Sequence, residues 1–592
     1  MCSLKTITPA LLSPVEVLFD GGSINISRSS KDSLAAIRSD TMNYQPGLDV
    51  RTSSLSGKSH KSRSESLLAA GVTLLLFLQC AHSASVTIIT HGFSGNVTDW
   101  IIPMAQKIPE YYRFPGTNFS CYEVYFVQDA NGNYIPTQSR IGGVVPTSAE
   151  SGEIIVKLDW LQLAGSVFGG ADYSTKEIAP AFVSALLSTN FISELRGRAL
   201  VELPLHLVGH SRGASMMCEI TRLLGAHGLW VDHLTTLDPH PLNNDGFDDT
   251  LVTFTVDAPV RVFASVLFAD NYYQQNSSIF GIDPSGEPIA GAYNRYLSNL
   301  FGGYSQSHSD VHLWYHGTLD LVTPTTDTQA NIIATERKLW WTTYETGGLY
   351  AGFFWSLIGR GNRLTTDEPA GAGTGQVRDG YNKIWDFGAG LASNRHALPA
   401  NNGAWPNLIQ FNLLSTNITT IGTTNSMKFY YQYGSTTNTT ATIQVFLDRD
   451  LNPFNANAAE VYRKAVRGTG TNSIYTGLIP WNANPTNMVP GLYAIYARIS
   501  AGGHSRYLYA PEILTLKPSL MLPSLTSLAN NNGEVQFTVN GFAGQKVIVE
   551  ASTNLTSWSS LRTNTLIGST WSYVDGQAAN YGRRFYRSIL AP

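Results

Sequence analysis

The pentapeptide Gly209-His210-Ser211-Arg212-Gly213 constrains the fold of this chain more than any other segment. It follows an apolar run, Leu205-His206-Leu207-Val208, and precedes Ala214–Leu224, whose apolar residues have helical spacing. The pattern predicts a buried strand, a sharp turn at Ser211 and a helix. Glycines on both sides of the turn suit positions where a Cβ would collide with the neighbouring strand. Ser211 is therefore the candidate nucleophile, and the alternative is a Gly-rich turn whose serine has no role.

A serine of this kind needs a base to take its proton and a carboxylate to orient that base. The predicted strand Leu234–Leu237 places Asp238 at its carboxyl end, where open α/β sheets form their sites. Asp270 follows the next predicted strand, Val262–Ala269, and is the rival acid. The structural alternative for Asp238 is a turn residue before Pro239.

Three histidines downstream are candidates for the base, since the expected chain order is serine, acid, histidine. His308 is preferred because it lies on the loop side, from which a base can reach Ser211. His312 and His316 are four residues apart and have helical spacing, so packing is expected for them, with His312 as the alternative base. The pair also has metal-ligand spacing, but no Glu follows the first His as a metalloprotease requires. We therefore predict no metal and no cofactor.

An acyl-transfer site also needs hydrogen-bond donors for the oxyanion. The amide of Arg212, which follows the nucleophile, is one candidate. The other is the amide of Phe93, in the segment His91-Gly92-Phe93 after the predicted strand Ser85–Thr90. Gly92 would let the backbone approach the substrate, and His91 is interpreted as structural.

These segments, together with Leu158-Asp159-Trp160 and Leu237-Asp238-Pro239, resemble the α/β-hydrolase lipases of the pancreatic and lipoprotein lipase type. The resemblance covers roughly residues 85 to 320. It implies an α/β-hydrolase fold and ester hydrolysis through a Ser-His-Asp triad and an acyl-enzyme, and it favours Asp238 over Asp270. The chain departs from that family in three respects: Arg212 replaces the usual Leu, the cysteine-bridged lid is absent, and the β-domains do not look like its lipid-binding module. Triacylglycerol is therefore not implied as the substrate.

The chain is too long for one core, and its pattern changes along its length. Residues 85–400 mix apolar runs with helical patterns, which indicates an α/β catalytic domain. Residues 405–516 alternate with period two, which indicates an immunoglobulin-like β-sandwich. A Pro/Ser/Leu-rich linker, 517–528, leads to a small C-terminal β-module at 529–592. That module resembles C-terminal β-modules of secreted bacterial proteins, which implies surface attachment or sorting.

The segment 58–84 has the layout of a secretory signal peptide. A basic cluster is followed by twelve apolar residues, Leu67–Leu78, and by small residues around Ala81 and Ala84. This predicts a secreted, periplasmic or cell-surface protein of bacterial type, with no integral membrane segment after cleavage. Residues 1–57 are expected to be an unstructured extension, and a start codon assigned too far upstream is the simplest explanation for them.

Composition narrows the choice of partners. Charged residues make up only 14% of the chain and the net charge is -4, so there is no basic footprint for nucleic acid. The expected partner is an ester or lipid substrate, and the β-modules are candidates for contact with a cell surface or polymer. The competing hypothesis is a non-catalytic secreted binding or adhesion protein with a decayed hydrolase domain. Among enzymes, a carbohydrate esterase or a phospholipase fits the same residues.

Three weaker signals have structural explanations that we prefer. Asp448, Asp450 and Asn452 alternate like calcium ligands, but Pro453 stands where an EF-hand loop needs Gly, so a turn is favoured. Two groups of aromatic residues are expected to pack in the core. The alternative is an acyl pocket for the first group and a sugar site for the second. The groups are the aromatics Trp340, Trp341, Phe353, Phe354 and Trp355, and the C-terminal Trp558, Trp571 and Tyr573.

Overall fold

A computed structural model provides the structure of the chain. It describes residues 84–111, 118–148, 152–166, 168–275, 285–297, 300–319, 325–341, 352–358, 377–378, 381–382, 395–397, 405–420, 425–435, 440–468, 474–483, 488–517 and 522–591. The predicted N-terminal extension and all of the predicted signal peptide except Ala84 lie outside the described residues.

The first part of the described chain forms an eight-stranded mixed sheet. Its strands are β1 (Val86–Thr90), β2 (Ser120–Gln128), β3 (Tyr134–Gly143), β4 (Ile154–Asp159), β5 (Leu205–His210), β6 (Val231–Leu237), β7 (Val266–Tyr273) and β8 (Tyr293–Tyr296). They lie in the order β3-β2-β4-β1-β5-β6-β7-β8. Only β3 is antiparallel to its neighbour, and every other pair is parallel.

Helices cover both faces of this sheet. They are α1 (Ile101–Lys107), α2 (Leu161–Ala164), α3 (Thr175–Leu187), α4 (Arg212–Ala226), α5 (Ser307–Gly317) and α6 (Ala334–Trp340). Short 3-10 turns occupy Ile108–Tyr111, Ser193–Leu195, Leu200–Glu202 and Gly352–Trp355. A further 3-10 turn, Ala578–Asn580, lies in the C-terminal part of the chain. Since neighbouring residues of a strand point to opposite faces, Ile88 packs in the core shared with α3 and α4, and Ile89 packs in the core shared with α1 and α5.

The central strands β1, β5 and β6 are buried along their whole length. This agrees with their near-continuous apolar and β-branched sequences, which are typical of parallel strands covered on both faces. Sequence analysis missed the outer strands β2, β3 and β8. The edge strand β3 is mostly exposed and has no regular apolar alternation, so its sequence carries little strand signal.

The strand predicted at Val262–Ala269 is wrong in its position. The observed strand, β7, starts at Val266, opposite Val231 of β6. The residues before it pair elsewhere, because the backbones of Val262 and Ala264 both hydrogen-bond to His396. Asp270 therefore lies in the middle of β7 and not at its end.

Two further sheets follow, one of three strands and one of five. The strands are β11 (Pro406–Leu413), β12 (Ile418–Thr420), β13 (Asn425–Ser435), β14 (Ala441–Asp448), β15 (Ala459–Val466), β16 (Ile474–Ala483), β17 (Gly491–Ala501) and β18 (His504–Lys517); a two-stranded pair, β9 (Val377–Arg378) and β10 (Tyr381–Asn382), precedes them. The sheet orders are β11-β13-β16 and β12-β18-β17-β14-β15. Their facing residues form one apolar core that includes Phe411, Phe429, Ile443 and Ile495. The predicted alternation in this region is present.

The C-terminal part contains two three-stranded sheets around a small core. Its strands are β19 (Ser524–Asn531), β20 (Glu534–Asn540), β21 (Lys546–Ser552), β22 (Ser559–Thr565), β23 (Thr570–Asp575) and β24 (Phe585–Leu590), in the orders β19-β20-β23 and β22-β21-β24. Phe537, Val539, Val547 and Val549 are fully buried between the sheets. Because β19 begins at Ser524, the predicted linker 517–528 is wrong over its second half.

The three- and five-stranded sheets contact the large sheet at the amino-terminal end of β6. The Arg506 guanidinium on β18 donates to the carbonyl of Trp230, and the side chain of Asn407 bonds the backbone of both Trp230 and Gly228. Tyr496 and Tyr507 join the apolar core that contains α3 and α4. The β-sheets are therefore packed on the first part of the chain through shared buried side chains. Among the described residues, none of the helices has both the length and the apolar character needed to cross a bilayer.

Candidate active site

Ser211 lies between the end of β5 and the start of α4, as the pentapeptide predicts. Its backbone has φ 55° and ψ -126°, a strained conformation for a residue with a side chain. The flanking glycines permit this turn. A Cβ on Gly209 would lie 2.3 Å from the carbonyl oxygen of Gly213, and one on Gly213 would lie 2.4 Å from that of His91. The predicted collision with the neighbouring strand is therefore confirmed for Gly213, which meets the end of β1, whereas Gly209 is restricted by the first turn of α4.

The loop after β1 packs directly on the serine side chain. A Cβ on Gly92 would lie 2.6 Å from Ser211 Cβ and 3.0 Å from Ser211 Oγ. The Phe93 amide, which follows Gly92 in the chain, is therefore in the region of the hydroxyl. The Arg212 amide belongs to the first turn of α4, where backbone N–H groups have no acceptor within the helix. The Arg212 amide adjoins the serine in the chain, and Gly92, the residue before Phe93, contacts the serine in space.

Asp238 follows β6 at the same edge of the sheet, and it is fully buried. The Ser211 amide donates to the Leu237 carbonyl at 2.9 Å, which ties the serine turn to the strand that carries the acid. The Asp238 carboxylate accepts hydrogen bonds from the Gln274 amide (2.9 Å), the Gln274 side chain (2.8 Å) and the Gly286 amide (3.1 Å). Burial raises the pKa of Asp238, and hydrogen bonds from His308 and Gln274 oppose that rise.

His308 is the histidine that contacts this acid. Its Nδ1 lies 2.6 Å from Asp238 Oδ2. Because a carboxylate oxygen accepts, Nδ1 carries the proton, and Nε2 is left as the basic nitrogen in the neutral ring. His308 does not lie in a loop as predicted. It is the second residue of α5, so its position is set by a helix that packs on the same face of the sheet as α1.

His312 and His316, the other candidate bases, share a different carboxylate. Their Nδ1 atoms lie 3.2 Å and 2.9 Å from the two oxygens of Asp327, and both side chains are buried. Tyr304 also donates to Asp327, at 3.1 Å. Burial lowers the pKa of His312, and the Asp327 carboxylate opposes this effect. Both histidines are thus buried and paired with Asp327, which agrees with the expectation that histidines on this helix pack inside the fold.

Asp270, the rival acid, belongs to a polar network inside the sheet. Its oxygens accept hydrogen bonds from Thr235 (2.6 Å) and Tyr272 (2.9 Å), and His233 Nε2 lies 2.9 Å away. The ring of His206 on β5 stacks on His233 at 4.0 Å. In the described part of the chain, His308 pairs with Asp238, while Asp270 pairs with His233.

The Arg212 side chain points away from the reaction site and is completely buried. Its guanidinium forms a two-pronged ion pair with Asp257, with N–O distances of 2.7 Å and 2.9 Å. It also donates to the carbonyls of Ala164 and Tyr173 and lies over the Trp160 ring. This arrangement joins the first turn of α4 to the segments after β4 and β6. Sequence analysis missed Asp257, because no local pattern links it to a residue 45 positions earlier.

His91 also has the structural role expected for it. It is fully buried, its Nδ1 lies 3.0 Å from the Gly92 carbonyl, and its Nε2 lies 3.3 Å from Asp159. The Trp160 indole donates to the His91 carbonyl at 2.9 Å. These contacts hold the loop that carries Gly92 against the end of β4.

A pocket of about 340 Å³ opens beside the same loop. It is lined by Ser94, Leu161, Gln162, Leu163, Gly165, Ser166, Gly169, Gly170, Asp172 and Tyr173. Four large apolar side chains of the surrounding segments are exposed: Leu161, Phe168, Leu251 and Phe254. A larger pocket of about 560 Å³ lies beyond Pro239 and is lined by four prolines together with polar residues such as Arg261 and Glu287.

The weaker sequence signals have packing explanations. Asp450 accepts hydrogen bonds from the side chains of Asn455 (2.9 Å) and Asn457 (2.7 Å), and Tyr509 donates to Asp448 at 2.8 Å. Burial and the neighbouring Asp450 raise the pKa of Asp448 to about 8. Within the described ranges, no group of three His, Cys, Asp or Glu side chains is arranged to hold a metal ion.

The aromatic residues are mainly core residues. Trp340, Trp341, Phe353 and Trp355 are buried, and the Phe354 side chain lies outside the described residues. In the C-terminal sheets, Trp571 and Tyr573 pack on the small core. Trp558 lies under the Arg587 guanidinium, which is 4.3 Å from its ring centre.

The comparisons with known proteins leave this geometry as the main guide to function. No protein-family model matches the chain. No curated protein matches it either.

Proposed function

We propose that this protein is a secreted serine hydrolase that cleaves carboxylic esters, with an α/β-hydrolase domain followed by an immunoglobulin-like β-sandwich and a C-terminal β-module. The observation that carries the proposal is the 2.6 Å contact between His308 Nδ1 and buried Asp238, at the sheet edge where Ser211 occupies a strained turn. The loop glycine that packs on the serine hydroxyl supports the same proposal.

In the proposed mechanism, Ser211 Oγ attacks the ester carbonyl while His308 Nε2 takes its proton. Asp238 holds the imidazole in the tautomer with the proton on Nδ1 and stabilises the imidazolium that forms. The amides of Phe93 and Arg212 donate to the oxyanion of the tetrahedral intermediate. The imidazolium then protonates the leaving alcohol, and a water activated by His308 hydrolyses the acyl-enzyme.

The loop that follows β1 borders a pocket with room for an acyl group. The pocket of about 340 Å³ begins at Ser94, the residue after the proposed oxyanion donor. Its small residues Gly165, Gly169 and Gly170 leave the space open, and the exposed Leu161 adds apolar surface beside polar residues such as Gln162 and Asp172. A pocket of this size accommodates an acyl chain of several carbons.

The decisive experiment is hydrolysis of p-nitrophenyl esters from acetate to palmitate by the purified protein, beside Ser211→Ala. We expect turnover that depends on Ser211 and is greater for the longer acyl chains than for acetate. Labelling of Ser211 by a fluorophosphonate provides a test that needs no substrate. An unlabelled Ser211 together with no turnover at any chain length would contradict the proposal and favour the binding or adhesion protein.

A further inference from the structure

His210 makes a contact that the proposed mechanism does not use. It is the last residue of β5 and immediately precedes Ser211. Its Nε2 lies 3.0 Å from the main-chain carbonyl oxygen of His308, and only 7% of the residue is exposed. The nucleophile's chain neighbour is therefore bonded to the backbone of the base.

The protonation state of His210 follows from this contact. A carbonyl oxygen only accepts, so Nε2 must carry the hydrogen. The titratable groups that face the ring are His308 and His312, both on α5, with ring centres 4.6 Å and 4.7 Å away, and also His91 after β1; the Trp100 ring packs edge-on at 5.9 Å. Burial, reinforced by these histidines, holds the pKa of His210 well below its usual range. The neutral ring can therefore remain beside His308 when that residue becomes an imidazolium, with no second cation next to it.

We propose that His210 is a positioning residue, whose Nε2–H fixes the first turn of α5 against the end of β5 and thereby sets the separation of His308 from Ser211. The inference rests on the proposed function. Asp238 restrains the His308 ring from the side of β6, and His210 restrains its main chain from the side of β5. Asp238 sets the orientation of the ring, and His210 adds a restraint on the backbone of the first turn of α5, while the later turns are held by the buried side chains of Val311, Leu313 and Trp314.

Two substitutions separate the hydrogen bond from the packing of the ring. His210→Phe keeps an aromatic ring between Trp100 and the α5 histidines but removes the donor. His210→Gln removes the ring but places an amide N–H where Nε2 lay. We expect His210→Phe to lower kcat for p-nitrophenyl butyrate about tenfold or more, because small misplacements of a catalytic group have large effects on rate. KM should stay unchanged, and His210→Gln should recover most of the lost kcat.

His206→Phe is the matched control. His206 is a buried histidine on the same strand, and its Nε2 lies 3.0 Å from Thr235 Oγ1 on the neighbouring strand β6. We expect this variant to lose stability with an unchanged kcat in the surviving folded protein, quantified by active-site titration with a fluorophosphonate.

The outcomes distinguish the two proposals. A low kcat for His210→Phe with recovery in His210→Gln supports the positioning role. A wild-type kcat for His210→Phe, or equal losses in the Phe and Gln variants, overturns it while the proposed hydrolase stands. Absence of Ser211-dependent turnover in the unmodified protein overturns the proposed function, and the positioning role with it.

Discussion

Gly92→Ala is the sharpest test of the proposed oxyanion site, since it adds one methyl group at a known place. The new Cβ would lie 2.6 Å from Ser211 Cβ, 2.9 Å from the His210 carbonyl oxygen and 3.0 Å from Ser211 Oγ. Carbon atoms in favourable contact are about 3.5–4.0 Å apart, so the loop and the serine must separate by roughly 1 Å. The atoms that obstruct the methyl group include backbone and a Cβ, which cannot rotate away.

The displacement has two consequences of different size. Overpacking of this kind costs about 1–3 kcal/mol of stability. A shift of roughly 1 Å in the reacting groups costs about 100-fold in rate, and loss of an oxyanion donor costs roughly 3 kcal/mol in the transition state. We therefore expect Gly92→Ala to remain folded but to lose on the order of 100- to 1,000-fold in kcat/KM.

The assay is p-nitrophenyl butyrate hydrolysis, with urea unfolding measured on the same preparations. Gly142→Ala is the matched control, because its Cβ would lie 3.6 Å from Cys121 Cβ, an ordinary contact on the edge strand β3. We expect Gly142→Ala to have wild-type kinetics. If Gly92→Ala retained wild-type kcat/KM, the loop after β1 would not supply the oxyanion donor and the assignment of Phe93 would be wrong.

Three further predictions use other contacts. Asp238→Asn should lower kcat by about 10,000-fold, because a neutral amide no longer stabilises the imidazolium of His308 or selects its tautomer, and unchanged kcat would exclude Asp238 as the acid. Arg212→Leu should cost about 3–5 kcal/mol in urea unfolding, because it leaves the Asp257 carboxylate buried without its cation, and a loss under 1 kcal/mol would contradict that role. Glu153 is fully buried, and burial raises its pKa from 4.5 to about 7. The folded protein therefore binds this proton more tightly than the unfolded chain, and stability from this group falls as the pH rises from 4.5 through 7, by on the order of 3 kcal/mol. Glu153→Gln should remove that slope in unfolding measured between pH 4.5 and 8.5, whereas an identical pH dependence in both proteins would place the carboxyl in water.

The contact between the two folded parts limits how the C-terminal β-sheets can act. Arg506 is buried at their junction and donates to the Trp230 carbonyl, and burial lowers its pKa to about 10. A charged side chain is buried in this way only where packing and hydrogen bonds hold it. The five-stranded sheet is therefore part of the support of the large sheet, which is relevant to any variant that shortens the chain after residue 404.

Local sequence patterns were sufficient to predict the central strands, the serine turn and the alternating strands of the later sheets. The steric need for glycine at 209 comes from Gly213, four residues further on, so it is visible in the pentapeptide itself, whereas the need for glycine at 213 comes from the distant His91 carbonyl oxygen. Buried parallel strands likewise need continuous apolar runs, wherever their partners lie.

Contacts between distant segments were decided only by the tertiary structure. Asp238 and Asp270 follow similar apolar runs, and only the register of β7 against β6 places one at the strand end and the other inside the sheet. His308 and His312 lie one helical turn apart, so the packing of α5 determines which of them meets Asp238. The contacts of His210 follow from the same packing. The residue types of the site are thus determined locally, and their pairing is determined by how strands and helices far apart in the chain come together.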